Sequence, residues 1–232
     1  MHRTFITAAL ALSLGACTAG NGDEAILVTK NVTPGVGCTF VSATSEASLS
    51  HGMISALSDR SYRLHPQLQS RISGDQAHNE QRTIITNGAH VDIAFADASE
   101  KVGADALLHF DSLFSTPVYP NGGITDGAAD IVPADLIKAI KDAKGTAAFR
   151  TELIVKVVVF GDMSGTDVTS QEFQYPVTVC SDCVVNVLPA ACPATVALVN
   201  PGNPCNPYQD GTVDCCKDST GKLMCPAPVV LP

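Results

Sequence analysis

The chain contains no tryptophan, and only 5% of its 232 residues are aromatic. Without indole rings a sugar-stacking platform is disfavoured, although Tyr and Phe can substitute for them. Basic runs are also missing: 14 Lys and Arg stand against 23 Asp and Glu, for a formal net charge of −9. This balance argues against a nucleic-acid partner. Beyond the N-terminus no stretch approaches 18 apolar residues, so no further membrane-spanning segment is expected.

Signatures of common enzyme classes are missing as well. No glycine-rich phosphate loop is present, and Asp162 stands where a serine-hydrolase elbow around Ser164 needs glycine. The nearby acidic residues Asp126, Asp130 and Asp135 lack the EF-hand spacing. We therefore predict no catalytic residue and no cofactor.

The first twenty residues, MHRTFITAALALSLGACTAG, have the features of an export signal. His2 and Arg3 give a short basic start. The uncharged run that follows, from Phe5 to Leu14, is about ten residues long, whereas a spanning helix needs roughly 20. A basic start, a short apolar run and small residues are typical of a cleaved secretory signal.

The end of this segment, Leu14-Gly15-Ala16-Cys17, resembles the lipobox of bacterial lipoproteins. That resemblance implies cleavage after residue 16, diacylglycerol on the Cys17 thiol and usually a third acyl chain on its amine, which would anchor the chain stably to a membrane. It also implies the outer membrane, because Thr18 follows where members retained at the inner membrane often carry Asp. Residues 17–25 would form the lipidated N-terminus and tether. The alternative is an ordinary signal peptide whose cysteine is incidental.

Cysteine usage is the second strong signal. Eight cysteines follow Cys17, and an even set in an exported protein predicts disulfides: Cys38, Cys180, Cys183, Cys192, Cys205, Cys215, Cys216 and Cys225. Seven of them lie in one C-terminal segment. Because seven is odd, complete pairing requires at least one of them to reach Cys38.

The spacing of the C-terminal cysteines also suggests two alternatives, a zinc site and a redox-active pair. Cys180-Ser-Asp-Cys183 has the spacing of a zinc knuckle, but Cys215 and Cys216 are adjacent and cannot repeat it. A thioredoxin-like role requires the first cysteine at a helix N-terminus. Here Cys180 ends a strand pattern, so disulfides are favoured over both alternatives.

The body, residues 26–180, reads mainly as strands. Alternating apolar and polar residues from Tyr62 to Ile72 predict one strand with a solvent-exposed, or wet, face. Pro66 cannot donate a ladder hydrogen bond, which places this strand at a sheet edge. Asn87-Gly88 between apolar runs predicts a hairpin turn. Further strands are expected at 107–114 and at 149–160, where the sequence is typical of a central strand covered on both faces. A strand at 173–179, after the loop GDMSGTD, is expected to form a hairpin with the strand at 149–160.

One helix interrupts these strands. Pro133 suits its first turn, Leu136, Ile137, Ile140 and Ala143 share one face, and Gly145 can end it. Short strands, turns and a lone crossing helix predict an antiparallel β-sandwich, immunoglobulin-like or fibronectin-like, followed by a disulfide-rich tail at 181–232.

Several stretches are similar to poorly characterised cysteine-rich lipoproteins common in myxobacteria: Tyr62, the PQLQSRI stretch from Pro66, the segment from Val155 to Gly161, YPVTVCSDC and QDGTVDCC. The resemblance covers most of the chain after the signal. It implies architecture and location, and it carries over no catalytic residue.

A doubled pattern gives the one candidate metal site. His90-Val91-Asp92 and His109-Phe110-Asp111 each place His and Asp two residues apart, on one side of a strand. If the two strands were neighbours in register, His90, Asp92, His109 and Asp111 could converge on a divalent ion. The competing interpretation, which we favour, is two solvated faces and no metal. The sequence thus predicts a noncatalytic binding or structural module of the cell envelope with another envelope protein as partner, and a metal-binding or enzymatic protein as the alternative.

Overall fold

The computed structural model describes residues 24–40, 48–74, 80–192 and 200–228, and within these ranges the chain is mainly β. Its strands are β1 (Glu24–Val32), β2 (Ser48–Leu49), β3 (Gly52–Ser55), β4 (Tyr62–Leu64), β5 (Pro66–Ser70), β6 (Ile84–Phe95), β7 (His109–Ser112), β8 (Pro117–Val118), β9 (Ile124–Asp126), β10 (Ala129–Val132), β11 (Arg150–Met163), β12 (Thr166–Ser170), β13 (Phe173–Cys180), β14 (Val185–Ala191), β15 (Val213–Lys217) and β16 (Leu223–Met224). The α-helix α1 spans Ala134–Lys144, and 3₁₀ turns lie at Glu80–Arg82, Ala98–Glu100 and Asp105–Leu107. No helix in the described ranges has the length and apolar character needed to cross a bilayer.

The long strand β11 organises the main sheet, which contains eleven strands of the described chain. One edge of β11 pairs with β6, while β13 and β12 pair in turn with its other edge, all antiparallel. The central position of 149–160 and its antiparallel pairing with 173–179 are confirmed. The expected hairpin between these two strands is wrong, because β12 lies between them in the chain and forms the hairpin with β11. Coverage on both faces is wrong: Leu153, Val155, Val157 and Val159 are buried, but the alternate residues remain partly exposed because that face of the sheet looks to solvent.

The stretch from Tyr62 to Ile72 forms two strands rather than one. β4 pairs with β10 in a separate two-stranded sheet, and β5 joins the main sheet between β1 and β9. The edge prediction from Pro66 is therefore wrong. Pro66 is tolerated because it is the first residue of its strand, where a missing donor matters least. The expected wet face is also interrupted, since His65 and Gln67 are buried.

Asn87 and Gly88 do not form a hairpin turn. Both lie inside β6, where Gly88 pairs with Phe160 and Thr86 with Gly161, so Asn87 is an extra residue without a partner on β11. This is a β-bulge. Gly88 has φ 156°, and a Cβ there would lie 2.6 Å from the Ser112 carbonyl oxygen, so the close approach of β7 requires glycine.

The helix forms where the sequence predicts it. Pro133 precedes its first turn, Gly145 ends it with φ 69°, and Leu136, Ile137 and Ile140 are buried. Ala143 is exposed, contrary to the expected face, because it lies in the last turn, beyond the core. The helix connects β10 of the small sheet to β11 of the main sheet.

The C-terminal segment forms a small sheet of its own and also touches the body. β15 pairs with β14 in parallel and with β16 antiparallel. Gln209 forms an isolated antiparallel β-bridge with Ile54 of β3. Beside it, the Ser55 amide donates a hydrogen bond to the Tyr208 carbonyl over 3.0 Å. At the other end of the chain, β1 begins at Glu24, two residues inside the expected tether.

Candidate functional site

The two His-x-Asp segments lie side by side on β6 and β7. Their antiparallel register places His90 opposite Asp111 and Asp92 opposite His109. Each pair is hydrogen-bonded, with 2.6 Å between the histidine Nδ1 and the aspartate Oδ1. The four side chains are 55–59% exposed, so they form an open face of the sheet rather than a cleft.

Period-two alternation explains why these residues share one side. Val91 and Ile93 of β6 point into the core, and His90 and Asp92 therefore point out. A carboxylate only accepts hydrogen bonds, so the nearby Nδ1 of each imidazole carries the proton. In the neutral ring this leaves Nε2 with a free lone pair, the arrangement that carboxylates impose on metal-binding histidines.

The surroundings of the pairs are partly apolar and shallow. The His90 ring stacks on Phe160 with 4.4 Å between ring centroids. On β11, which pairs with β6, Lys156 Nζ lies 3.3 Å from Glu172 Oε2. The pairs line a surface depression of about 390 Å³. In the part of the chain that is described, no group of three or more His, Cys, Asp or Glu side chains is arranged to hold a metal ion.

The eight cysteines of the described chain form four disulfides: Cys38–Cys205, Cys180–Cys183, Cys192–Cys216 and Cys215–Cys225. Cys205 is thus the C-terminal cysteine that reaches Cys38. Cys180 and Cys183 are bonded to each other, which leaves neither sulfur as a thiolate ligand for zinc. Cys17, the expected lipidation site, lies outside the described residues.

A buried polar network, unforeseen from the sequence, holds the C-terminal segment on the body. The Asp210 carboxylate accepts hydrogen bonds from the Met53 amide, the Tyr62 hydroxyl and the Gln209 side chain, over 2.8, 2.8 and 3.0 Å. Gln209 also pairs with both backbone groups of Arg63. A Gln-Asp-Gly stretch looks like a solvated turn, and the positive φ of Asp210 agrees with a turn, so only the tertiary contact reveals its role.

Two tyrosines complete this network from the body side. The hydroxyls of Tyr62 and Tyr175 lie 3.2 Å apart, and Asn31 donates to Tyr175 over 2.8 Å. Burial and the nearby Asp210 carboxylate raise the pKa of Tyr62 well above its ordinary value, and burial raises the pKa of Tyr175 to about 12. Burial also raises the pKa of Asp210 in spite of its three donors. Both phenols therefore stay protonated at a pH of about 10, where an ordinary tyrosine ionises.

His65 is buried, although the sequence predicted it on the solvent-exposed face of the strand from Tyr62 to Ile72. Its side chain stacks on Phe40 with 4.2 Å between ring centroids, and only 2% of the residue is exposed. Within the described ranges neither ring nitrogen makes a hydrogen bond of normal geometry. Burial, helped by the charge of Arg63, lowers the pKa of His65 to about 4.

The remaining sequence candidates lie in a turn and on separate elements. Ser164 and Gly165 form the two-residue turn between β11 and β12, with φ 52° and 85°. The three acidic residues lie on separate elements: Asp126 in β9, Asp130 in β10 and Asp135 in α1, with the Asp130 carboxylate bound by Arg63 over 2.7 and 3.2 Å.

Comparison with known proteins identifies no relative: no family model, no curated protein and no solved structure matches this chain.

Proposed function

We propose that this chain is a lipoprotein of the bacterial cell envelope, anchored through Cys17, that acts as a noncatalytic binding or structural module. The observation that carries the proposal is the lipobox-like Leu14–Cys17 so close to the folded body. Six residues, 18–23, separate Cys17 from the start of β1. At roughly 3.5 Å per residue they reach about 20 Å at most, so the body would stay next to the bilayer.

The module itself is crosslinked into one unit, which supports a structural or binding role. The Cys38–Cys205 disulfide and the Asp210 network both join the C-terminal segment to the body. We further propose that the strands pack as a β-sandwich, with the buried side of β11 facing the layer that contains β1 and β5. Its partner would be another protein of the envelope, and the outer membrane would be its location.

Lipidation can be tested by metabolic labelling with an alkyne fatty acid. We expect the wild type to be labelled and to fractionate with membranes, and Cys17→Ser to lose the label and leave the outer-membrane fraction. Thr18→Asp is the matched control, because it should keep the label and move to the inner membrane. A Cys17→Ser variant that stays labelled would contradict the proposal.

A second candidate function, binding of a divalent metal ion, is favoured by the register of β6 and β7. Asp111 and Asp92 orient the rings of His90 and His109 on the same open face. Because the carboxylates are engaged by the imidazoles, the two Nε2 atoms would be the protein ligands and water would complete the coordination.

This second function predicts a selective response to zinc in NMR spectra of the histidine rings. Titration of the purified protein with Zn²⁺ should shift the imidazole signals of His90 and His109. The double variant His90→Gln, His109→Gln should show no such response, and His51→Gln should respond like the wild type. Unchanged signals at millimolar zinc would rule the site out.

A further inference from the structure

The Cys180–Cys183 disulfide differs from the other three in the size of the loop that it closes. Its cysteines are 3 residues apart in sequence, whereas the other pairs are separated by 10, 24 and 167 residues. The stabilisation that a disulfide gives by restricting the unfolded chain grows with loop length. This bond therefore contributes least to holding the fold, and its opening releases the least chain.

The two sulfurs of this disulfide are unequally accessible. Cys180 is the last residue of β13 and is fully buried. Cys183 is partly exposed and lines a surface depression of about 230 Å³ together with His51, Met53 and Asp210. The depression is lined by Cys183 and not by Cys180, so a thiol that enters it meets the Cys183 side of the bond.

The buried sulfur has a partner ready for its reduced form. Cys180 Sγ lies 3.3 Å from the carbonyl oxygen of Ile54, within reach of an S–H donor, whereas Cys183 Sγ is 4.0 Å from the same oxygen. A Cys180 thiol would thus be buried with its donor satisfied. The backbone around it is held by other bonds, including the Ala56 amide to the Cys180 carbonyl over 2.7 Å. Opening the disulfide consequently leaves the end of β13 in place.

We propose that Cys180–Cys183 is an exchangeable disulfide that accepts electrons from a dithiol. A thiolate of the dithiol attacks Cys183 Sγ, the Cys180–Cys183 bond breaks, and Cys180 leaves as a thiolate that takes up a proton. The second thiol of the dithiol then loses its proton and attacks the dithiol's own first sulfur, which is bonded to Cys183 in the mixed disulfide. Cys183 leaves as a thiolate, and the dithiol departs as a disulfide.

Absence of a helix at Cys180 does not conflict with this chemistry. A helix N-terminus is needed to stabilise an attacking thiolate on the protein. Here the attacking thiolate belongs to the dithiol, and the protein supplies the sulfur that is attacked. The requirement is access to one sulfur, which the depression beside Cys183 provides.

The proposal is tested by reducing the full chain with dithiothreitol under native conditions, alkylating at timed intervals and identifying the modified cysteines by mass spectrometry. We expect Cys180 and Cys183 to be modified at least tenfold faster than any other pair, with an unchanged far-UV circular dichroism spectrum. Reduction of all four disulfides at similar rates, reduction of another pair first, or loss of the spectrum with this bond would overturn it.

Two single variants test which sulfur is attacked. In Cys180→Ser the remaining Cys183 thiol should react rapidly with an aromatic disulfide reagent, whereas in Cys183→Ser the remaining Cys180 thiol should react at least tenfold more slowly. Equal rates, or a faster reaction at Cys180, would show that the depression does not direct the exchange.

Discussion

Replacing Cys38 and Cys205 together with serine is expected to lower the free energy of unfolding by about 5 kcal/mol, the largest effect of any pair in this chain. The two residues are 167 positions apart, so their bond closes a loop that includes almost the whole body. In the chain-entropy account the stabilisation rises with the logarithm of loop length and reaches about 5 kcal/mol for a loop of this size. Loss of the bond also weakens the attachment of the C-terminal segment.

The matched control is the double variant Cys215→Ser, Cys225→Ser, whose native bond spans 10 residues. The same relation between loop length and stabilisation predicts that the free energy of unfolding falls by about 3 kcal/mol when that pair is replaced. Both variants can be compared in urea without reductant, with unfolding followed by far-UV circular dichroism because the chain has no tryptophan. A loss at Cys38 and Cys205 no larger than that of the control would mean that unfolded-chain entropy does not govern this bond.

Acidification is expected to destabilise the protein through His65. The pKa of this side chain is about 4 in the folded protein, against about 6.5 for an unperturbed histidine. A lowered pKa means that the unfolded chain binds the proton more tightly. The contribution of His65 to stability is therefore complete above pH 6.5 and is lost as the pH falls to about 4. At 1.36 kcal/mol per pKa unit, the loss is about 3 kcal/mol.

The variant His65→Phe isolates this effect, because phenylalanine can keep the stacking on Phe40 but cannot be protonated. The free energies of unfolding of wild type and variant should diverge by about 3 kcal/mol between pH 7 and pH 4, with the wild type losing more. A wild-type-to-variant difference that stays constant with pH would show that His65 is not the acid-sensitive group.

The sequence predicted the contacts of the disulfides and of the His/Asp pairs only in part. The odd number of cysteines in the C-terminal segment required a bond to Cys38, but nothing local distinguishes Cys205 from the other six. Alternation put His90 and Asp92 on one side of a strand, and likewise His109 and Asp111. It did not determine that β6 and β7 are neighbours, nor that each histidine lies opposite an aspartate.

Local signals failed where the same residues fit two environments. Asn87-Gly88 suits a hairpin turn and also a bulge, and the pairing of β6 with β11 and β7 decides for the bulge. Pro66 suits an edge strand and also the first residue of an internal one. His65 and Asp210 are polar, and only the tertiary structure reveals the burial of His65 against Phe40 and the hydrogen bond from Tyr62 to Asp210.

The sequence by itself determined the mainly β character, the helix at 134–144 and the need for a long-range disulfide, because alternation, helix-end residues and parity are properties of the chain alone. Only the tertiary structure decided which strands are neighbours, which cysteines pair, and which polar side chains are buried. The physical reason is that these outcomes depend on contacts between residues up to 167 positions apart. Such contacts leave no periodic or local trace in the order of residues.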